Sequence, residues 1–242
     1  MAKAIPISEL PVFSASNLPS READYSTGAI FLINKPLEWS SFHVVKLVRN
    51  RTKVKKVGHA GTLDPLATGL LVVCLGKATK SIDQIQQLSK EYRAEITFGG
   101  ATASYDAAEE VSETAPCDHI TRELCEDVLN RDFNGEILQK PPMFSAIKKD
   151  GKRLYKLARK GETVEIEPRS VEIYGHEVHA FESPVLDVSI RCSKGTYIRS
   201  IAHDLGKSLD SLGYLSALER TKIGDYSVED ALSIDMIKEI WS

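Results

Sequence analysis

The stretch KKVGHAGTLDPLATGLLVVCLGKATK, Lys55 to Lys80, joins a basic run to a glycine-rich loop and then to an apolar strand. Its second half, GLLVVCLG, is rich in branched residues and predicts a strand buried on both faces. Its first half predicts a loop, with one acid, Asp64, set before Pro65. Such a loop suits a phosphate cradle, a metal site, a plain turn or a catalytic carboxylate. A phosphate cradle needs a glycine-lysine pair followed by Ser or Thr, but Ala78 follows Gly76-Lys77 and Gly69 lies too far upstream. A metal site needs converging ligands, and only His59 is close in sequence. His176 and His179, in HEVH, lack metalloprotease spacing and fall on opposite faces of a strand. No serine sits in G-x-S-x-G, and Cys74 lies in an apolar run that predicts core. An ordinary Asp-Pro turn and a catalytic carboxylate stay open. Pro65 restricts Asp64 to extended backbone and so aims its side chain. Gly58, Gly61 and Gly69 permit close approach of another chain.

Working outward, GAIFLINKP predicts a strand closed by proline. SSFHVVKLVRNRT predicts a helix with a serine cap and an apolar face of Phe42, Val45 and Val48. KATKSIDQIQQLSK predicts a further helix. EYRAEITFGG alternates Tyr92, Ala94, Ile96 and Phe98 as a half-buried strand does. Residues 101–118 are small and acidic and read as loop. TRELCEDVLNRDF predicts a helix on Leu124, Val128 and Leu129. RSVEIYGHEVHAF and PVLDVSIRCSKG read as paired strands, and TYIRSIAHDLGKSL as a helix on Ile198, Ile201, Ala202 and Leu205. YLSALERTKIGDYSV returns to strand before a short final helix. Without strict βα alternation, the class is α+β with a mostly antiparallel sheet. Residues 1–27 read as a weakly packing extension.

The chain has 242 residues, 42% hydrophobic and 27% charged, with a formal charge of −3. No apolar run reaches the roughly 18 residues of a membrane helix. The N-terminus does not resemble a secretory signal. Four scattered cysteines form no CxxC pair, which favours reduced thiols in the cytoplasm. Thirteen of the 31 Lys and Arg fall in two short segments, Lys46 to Lys56 and Lys148 to Lys160. A polyanion responds to such local fields whatever the net charge. Each segment alone also fits a solvated helix face.

GHAGTLDPLATGLLVVCLGKATK resembles the catalytic motif of the TruB family of pseudouridine synthases. Four further stretches resemble that family's motifs in the family's order: INKPLEWSSFHVV, KEYRAEITFG, KPPMFSAIKKDGKRLYKLARKGETVEI and CSKGTYIRSIAHDLG. Together they cover about Gly28 to Gly224. Two departures stand out. TASYDAAEE keeps Asp106 but lacks the family's glycine, and the chain stops at Ser242, which leaves no room for a C-terminal PUA-type RNA-binding domain.

The resemblance implies the pseudouridine synthase fold over residues 28–242, with an RNA-clamping insertion. It implies isomerisation of uridine 55 in the T loop of tRNA, by base flipping, with no cofactor and no metal. It assigns Asp64 as the essential acid, Tyr92 as the ring on the base and late proton acceptor, and Arg199 as the supporting cation. It places His59, Lys80, Tyr197 and Leu218 at the substrate, and Lys148, Lys152 and Arg153 in the clamp. By residue type alone, Arg199 and Lys80 read as surface, and Tyr92, Tyr197 and Leu218 as packing. A guide-dependent ribosomal RNA synthase and a non-catalytic tRNA-folding factor are the alternatives. The expected partner is the tRNA T stem-loop, with no membrane, and nothing demands more than a monomer.

Overall fold

A computed structural model describes residues 4–145, 148–149, 151–158, 162 and 164–242. The chain divides into two compact units, Met1–Tyr92 with Leu218–Ser242, and Arg93–Ala217. In the first unit, β1 (Val12–Phe13) pairs in parallel with β2 (Ala29–Lys35), and β2 pairs antiparallel with β4 (Ala67–Leu75). Helix α1 (Ser41–Thr52) follows β2, and its N-cap Ser40 accepts from the His43 amide. Strand β3 (Val57–His59) pairs antiparallel with β4. A 3-10 stretch, Gly76–Ser81, leads into α2 (Ile82–Gln87).

Residues on β2 and β4 alternate between two cores. Phe31, Ile33, Leu71, Val73 and Leu75 pack with Val44 and Val48 of α1. Ile30, Leu32, Leu70, Val72 and Cys74 pack on the other face with Ile85 of α2. Both faces of β4 are therefore dry, which is why its sequence is apolar throughout instead of alternating. Burial pushes the Cys74 thiol up to about 12, so it serves as core.

Strand β5 (Lys90–Phe98) starts in the first unit and ends in the second. The second unit holds the β6 (Gly100–Thr102) and β7 (Val111–Thr114) hairpin, α3 (Arg122–Asp132) and β8 (Gly135–Gln139). The short pair β9 (Lys148–Lys149) and β10 (Lys152–Arg153) precedes α4 (Leu154–Ala158). Long antiparallel strands β11 (Arg169–Glu182) and β12 (Val185–Cys192) follow, with β8 paired to β11. Helix α5 (Ile198–Ser208) buries Ile198, Ile201, Ala202 and Leu205. Strand β13 (Gly213–Ile223) re-enters the first unit, where Leu218–Arg220 run parallel to Ala67–Gly69. Strand β14 (Tyr226–Ser227) and α6 (Ile234–Ile240) finish the chain. The class is α+β, with mostly antiparallel pairing, as the sequence implies.

The structure corrects four local expectations. Phe42 is 61% exposed, and α1 buries Val44 beside Val45 and Val48 instead. Val57–His59 is a strand, not part of a loop. Residues 101–118 contain a hairpin, because the small residues of β6 are buried against the rest of the unit. The N-terminal stretch packs firmly: Leu10 and Tyr25 are buried, and the rings of Phe13, Tyr25 and Phe31 meet edge-on at 5.1–5.4 Å.

Gly69 carries the tightest demand on this architecture. Its φ is +96°, and a Cβ there would stand 2.4 Å from the Arg220 carbonyl oxygen and 2.7 Å from its amide nitrogen. Gly135 also has positive φ, +71°, but open space around it. Gly135→Ala should cost about 1 kcal/mol of backbone strain alone. Gly69→Ala adds a backbone clash and should cost at least ~3 kcal/mol. Urea unfolding of the two variants checks this; equal losses would contradict the close β4–β13 packing.

Candidate active site

The Asp64 loop is tied down before any substrate is considered. Ser41, the first residue of α1, accepts from the Leu63 amide at 2.9 Å and donates to the Leu63 carbonyl at 3.1 Å. The Ala67 amide donates to the Asp64 carbonyl at 3.1 Å, and the Glu38 amide to the Pro65 carbonyl at 2.8 Å. Lys35 ends β2 with no exposed surface. Its ammonium donates to the carbonyls of Trp39 (2.6 Å), Pro36 (2.9 Å) and Pro65 (3.4 Å). Three protons on nitrogen thus meet three carbonyls, which only the charged form can do.

Arg220 fastens the other side. It is 1% exposed, and its Nε donates to the Leu70 carbonyl at 2.8 Å and its Nη2 to the Gly61 carbonyl at 3.1 Å. Gly61 has φ +100°, a conformation that favours glycine, and a Cβ there would lie in van der Waals contact with the guanidinium at 3.4 Å. The glycines expected to admit a substrate chain thus serve this chain first. Gly61 and Gly69 accommodate Arg220, and a Cβ at Gly58 would meet Ile82 at 2.9 Å.

Burial pulls the Lys35 ammonium down to about 8, against the attraction of Asp64, and Arg220 adds a repulsion. His59 is half-buried on β3. Burial holds it below the ordinary imidazole value, the Gly61 backbone opposes that, and Arg220 adds to it. Its Nδ1 is buried without a hydrogen-bond partner among the described residues.

Leu218 lies opposite Ala67, three residues beyond Asp64, and its carbonyl accepts from Thr68 at 3.3 Å. Tyr92 is half-buried on β5. Lys80 does not join this group. It is exposed in the turn after β4, at the end away from Asp64, and the extended strand between them spans on the order of 25 Å.

The second unit builds its own arrangement around Arg199. This residue is 6% exposed, not the surface residue its position on a helix suggests. It donates to the carbonyls of Ser104 (3.0 Å) and Phe144 (2.9 Å) and pairs with Asp106 at 3.5 Å. Asp106 in turn accepts from Ser104 Oγ at 2.5 Å and from the Ala108 amide at 3.0 Å. Asp106, kept in a segment that otherwise departs from the family pattern, is therefore the counter-ion of Arg199. Tyr197 is the N-cap of α5, and Gln139 holds its backbone on both sides, at 2.7 and 3.0 Å. Lys148, Lys152 and Arg153 lie on the β9–β10 pair; their side chains fall outside the described residues, as do Arg159 and Lys160.

Lys35, Ser41 and Arg220 are the residues that sequence reasoning left without a role. Lys35 and Ser41 sit inside the motif INKPLEWSSFHVV, which was the available signal. Arg220 offered none, because its partners lie about 150 residues earlier.

Among the described residues, no group of three or more His, Cys, Asp or Glu is placed to hold a metal ion, and no helix is long and apolar enough to cross a membrane. Comparison with known proteins gives the family. The description "TruB family pseudouridylate synthase (N terminal domain)" matches residues 49–198. A "tRNA pseudouridine synthase B" of Flavobacterium johnsoniae is 49% identical over 223 residues, covering 89% of this chain and 97% of that protein. One of Phocaeicola vulgatus is 46% identical over 222 residues, covering 89% and 94%. A chain in a crystal structure of a Cbf5-Nop10-Gar1 complex superposes with a TM-score of 0.68 at 26% identity. That match covers 93% of this chain and 58% of the other.

Lys35 makes the stability of the loop's scaffold depend on pH. Its folded value of about 8 lies below the ordinary 10.5, so the unfolded chain binds one more proton between those values. Stability should therefore rise as pH climbs from 8 to 10.5, by about 3 kcal/mol. Lys35→Met should lack that rise, and at neutral pH it leaves carbonyls unpaired at a cost of about 1–3 kcal/mol each. Urea unfolding of both proteins at pH 7.5 and 10 tests this; parallel changes would contradict the assignment.

Proposed function

Because this chain belongs to the TruB family of pseudouridylate synthases, we propose that it converts uridine 55 in the T loop of tRNA to pseudouridine, with Asp64 as the essential carboxylate. Isomerisation of uridine to pseudouridine in tRNA follows from the family and from relatives 46–49% identical over most of both chains. The same relatives, named as tRNA pseudouridine synthases, favour tRNA over the guide-dependent ribosomal RNA alternative.

The reaction breaks the bond from ribose C1′ to uracil N1, turns the base, and joins C1′ to C5. The C5 proton is then lost and N1 gains one. Oxidation state is unchanged and all atoms come from one nucleotide, so the chemistry calls for no cofactor. Asp64 acts as an anion by either available route, attack on the sugar or removal of a sugar proton. The observation that carries the reading is the fixed Asp64 loop, latched by Ser41, Lys35 and Arg220. A carboxylate held in place before substrate arrives needs little reorganisation during reaction. Lys35 supplies a buried positive field acting on Asp64.

Tyr92 is assigned to stack on the base and to accept the C5 proton late. Arg199, with Asp106 behind it, is the supporting cation. The target uridine must leave its stack to be reached, at a cost of a few kcal/mol. His59 is assigned to the gap left behind, with Tyr197 and Leu218 shaping the pocket. Lys80, from its exposed turn, contributes at most a contact to the RNA backbone. Lys148, Lys152 and Arg153 are assigned to clamp the RNA. Residues 28–242 form the catalytic domain, acting as a monomer in the cytoplasm on the T stem-loop.

Purified protein incubated with unmodified tRNA transcript should yield pseudouridine at position 55. Asp64→Asn should bind the transcript within a few-fold of wild type and lose activity by roughly a thousandfold or more. Mapping the modified position and measuring single-turnover rates checks both. Binding without product from the wild type would instead mark an RNA-folding factor.

A further inference from the structure

The first unit carries a second concave site that the assigned chemistry does not use. A shallow, open groove of about 550 Å³ runs among Leu37, Glu38, Trp39 and the α1 side chains His43, Lys46 and Asn50. It is wide enough for a planar base to lie against a side chain. Trp39 is half-buried, packed on one side against the core of β2, β4 and α1. Its ring meets His43 at 6.2 Å and 77°, so the two form an aromatic corner. Leu37, which lines the same groove, is 54% exposed.

Charge identifies the occupant. From Ser41 to Thr52 the helix contains no acid. His43, Lys46 and Asn50 recur at spacings of three and four, which puts them on one face of α1, and all three are exposed. An aromatic corner beside Lys46, on a helix with basic residues and no acid, fits a nucleic-acid strand, base against ring and phosphate on the lysine. Glu38 is the one acid at the cavity. It repels phosphate from its own end and can accept from a base amino group or a ribose hydroxyl.

The groove is also mechanically joined to Asp64. Lys35 bridges the Trp39 and Pro65 carbonyls, and the Glu38 amide donates to the Pro65 carbonyl. RNA seated on Trp39 is therefore positioned by the same segment that holds the Asp64 loop. We propose that this groove binds an unpaired nucleobase of the substrate RNA against Trp39, with its neighbouring phosphate on Lys46. The proposal rests on the RNA substrate argued above.

The test is the dissociation constant of unmodified tRNA transcript, measured in an Asp64→Asn parent so that turnover does not intervene. Trp39→Leu keeps apolar volume but removes stacking, and should weaken binding about tenfold. Trp39→Phe should restore most of the affinity. Since Trp39 also touches the core, Lys46→Glu, at an exposed position, is the second arm. It should weaken binding and lower the slope of log K against log salt by about one. Parent-like binding by both Trp39→Leu and Lys46→Glu overturns the groove. Groove variants that lose affinity while the wild type makes no pseudouridine keep the groove and refute the activity. Pseudouridine formation with normal binding by the groove variants does the reverse. A parent that does not bind tRNA refutes both.

Discussion

A guanidinium with almost no contact with water holds the first unit's central crossing together. Arg220 reaches from β13 to the carbonyls of Leu70 and Gly61, on either side of the loop that carries Asp64. Its backbone lies so close to Gly69 that no side chain fits between. Burying an unpaired cation is expensive, and it persists only where fixed dipoles replace the lost water. Those dipoles are backbone carbonyls, so the position of β13 and the conformation of the Asp64 loop become one constraint.

Lys35 repeats the device from the opposite strand. Its ammonium gathers three carbonyls from the turn after β2 and from Pro65. Two buried cations therefore brace one loop that carries a carboxylate. Structural polar networks of this kind give specificity of geometry more than net stability. That is the property a reacting carboxylate requires, because a small displacement of the attacking atom costs rate steeply. In the second unit Asp106 and Ser104 do for Arg199 what the carbonyls do for Lys35 and Arg220.

The elements legible in the sequence are those set by periodicity. The apolar run through Leu70 to Leu75 reads as a strand dry on both faces, and Ile198, Ile201, Ala202 and Leu205 mark one side of a helix. Asp64, Tyr92 and Arg199 stood out through their motifs, whose spacing is local. What periodicity does not encode is burial of charge. Lys35 and Arg220 look like ordinary cations at strand positions, and only the tertiary placement of distant carbonyls makes them interior. Gly61 and Gly69 were visible as positions needing space, but the occupant of that space, Arg220, was not. Phe42 shows the opposite error: its helical spacing suggested core, yet its place in the first turn of α1 leaves it in water. Lys80 follows Asp64 closely in the motif, but a whole strand separates them in space.

The central claim is that the Asp64 loop is fixed in the free protein by Ser41, Lys35 and Arg220, not ordered by RNA. Native-state hydrogen exchange reads this without substrate. The amides of Leu63, Ala67 and Glu38 donate to Ser41, Asp64 and Pro65 respectively. They should be protected to a degree approaching that of the Ala60 amide, which donates to Val72 within the β3–β4 region. Exchange of those three amides at the rate of an open surface loop would contradict the account.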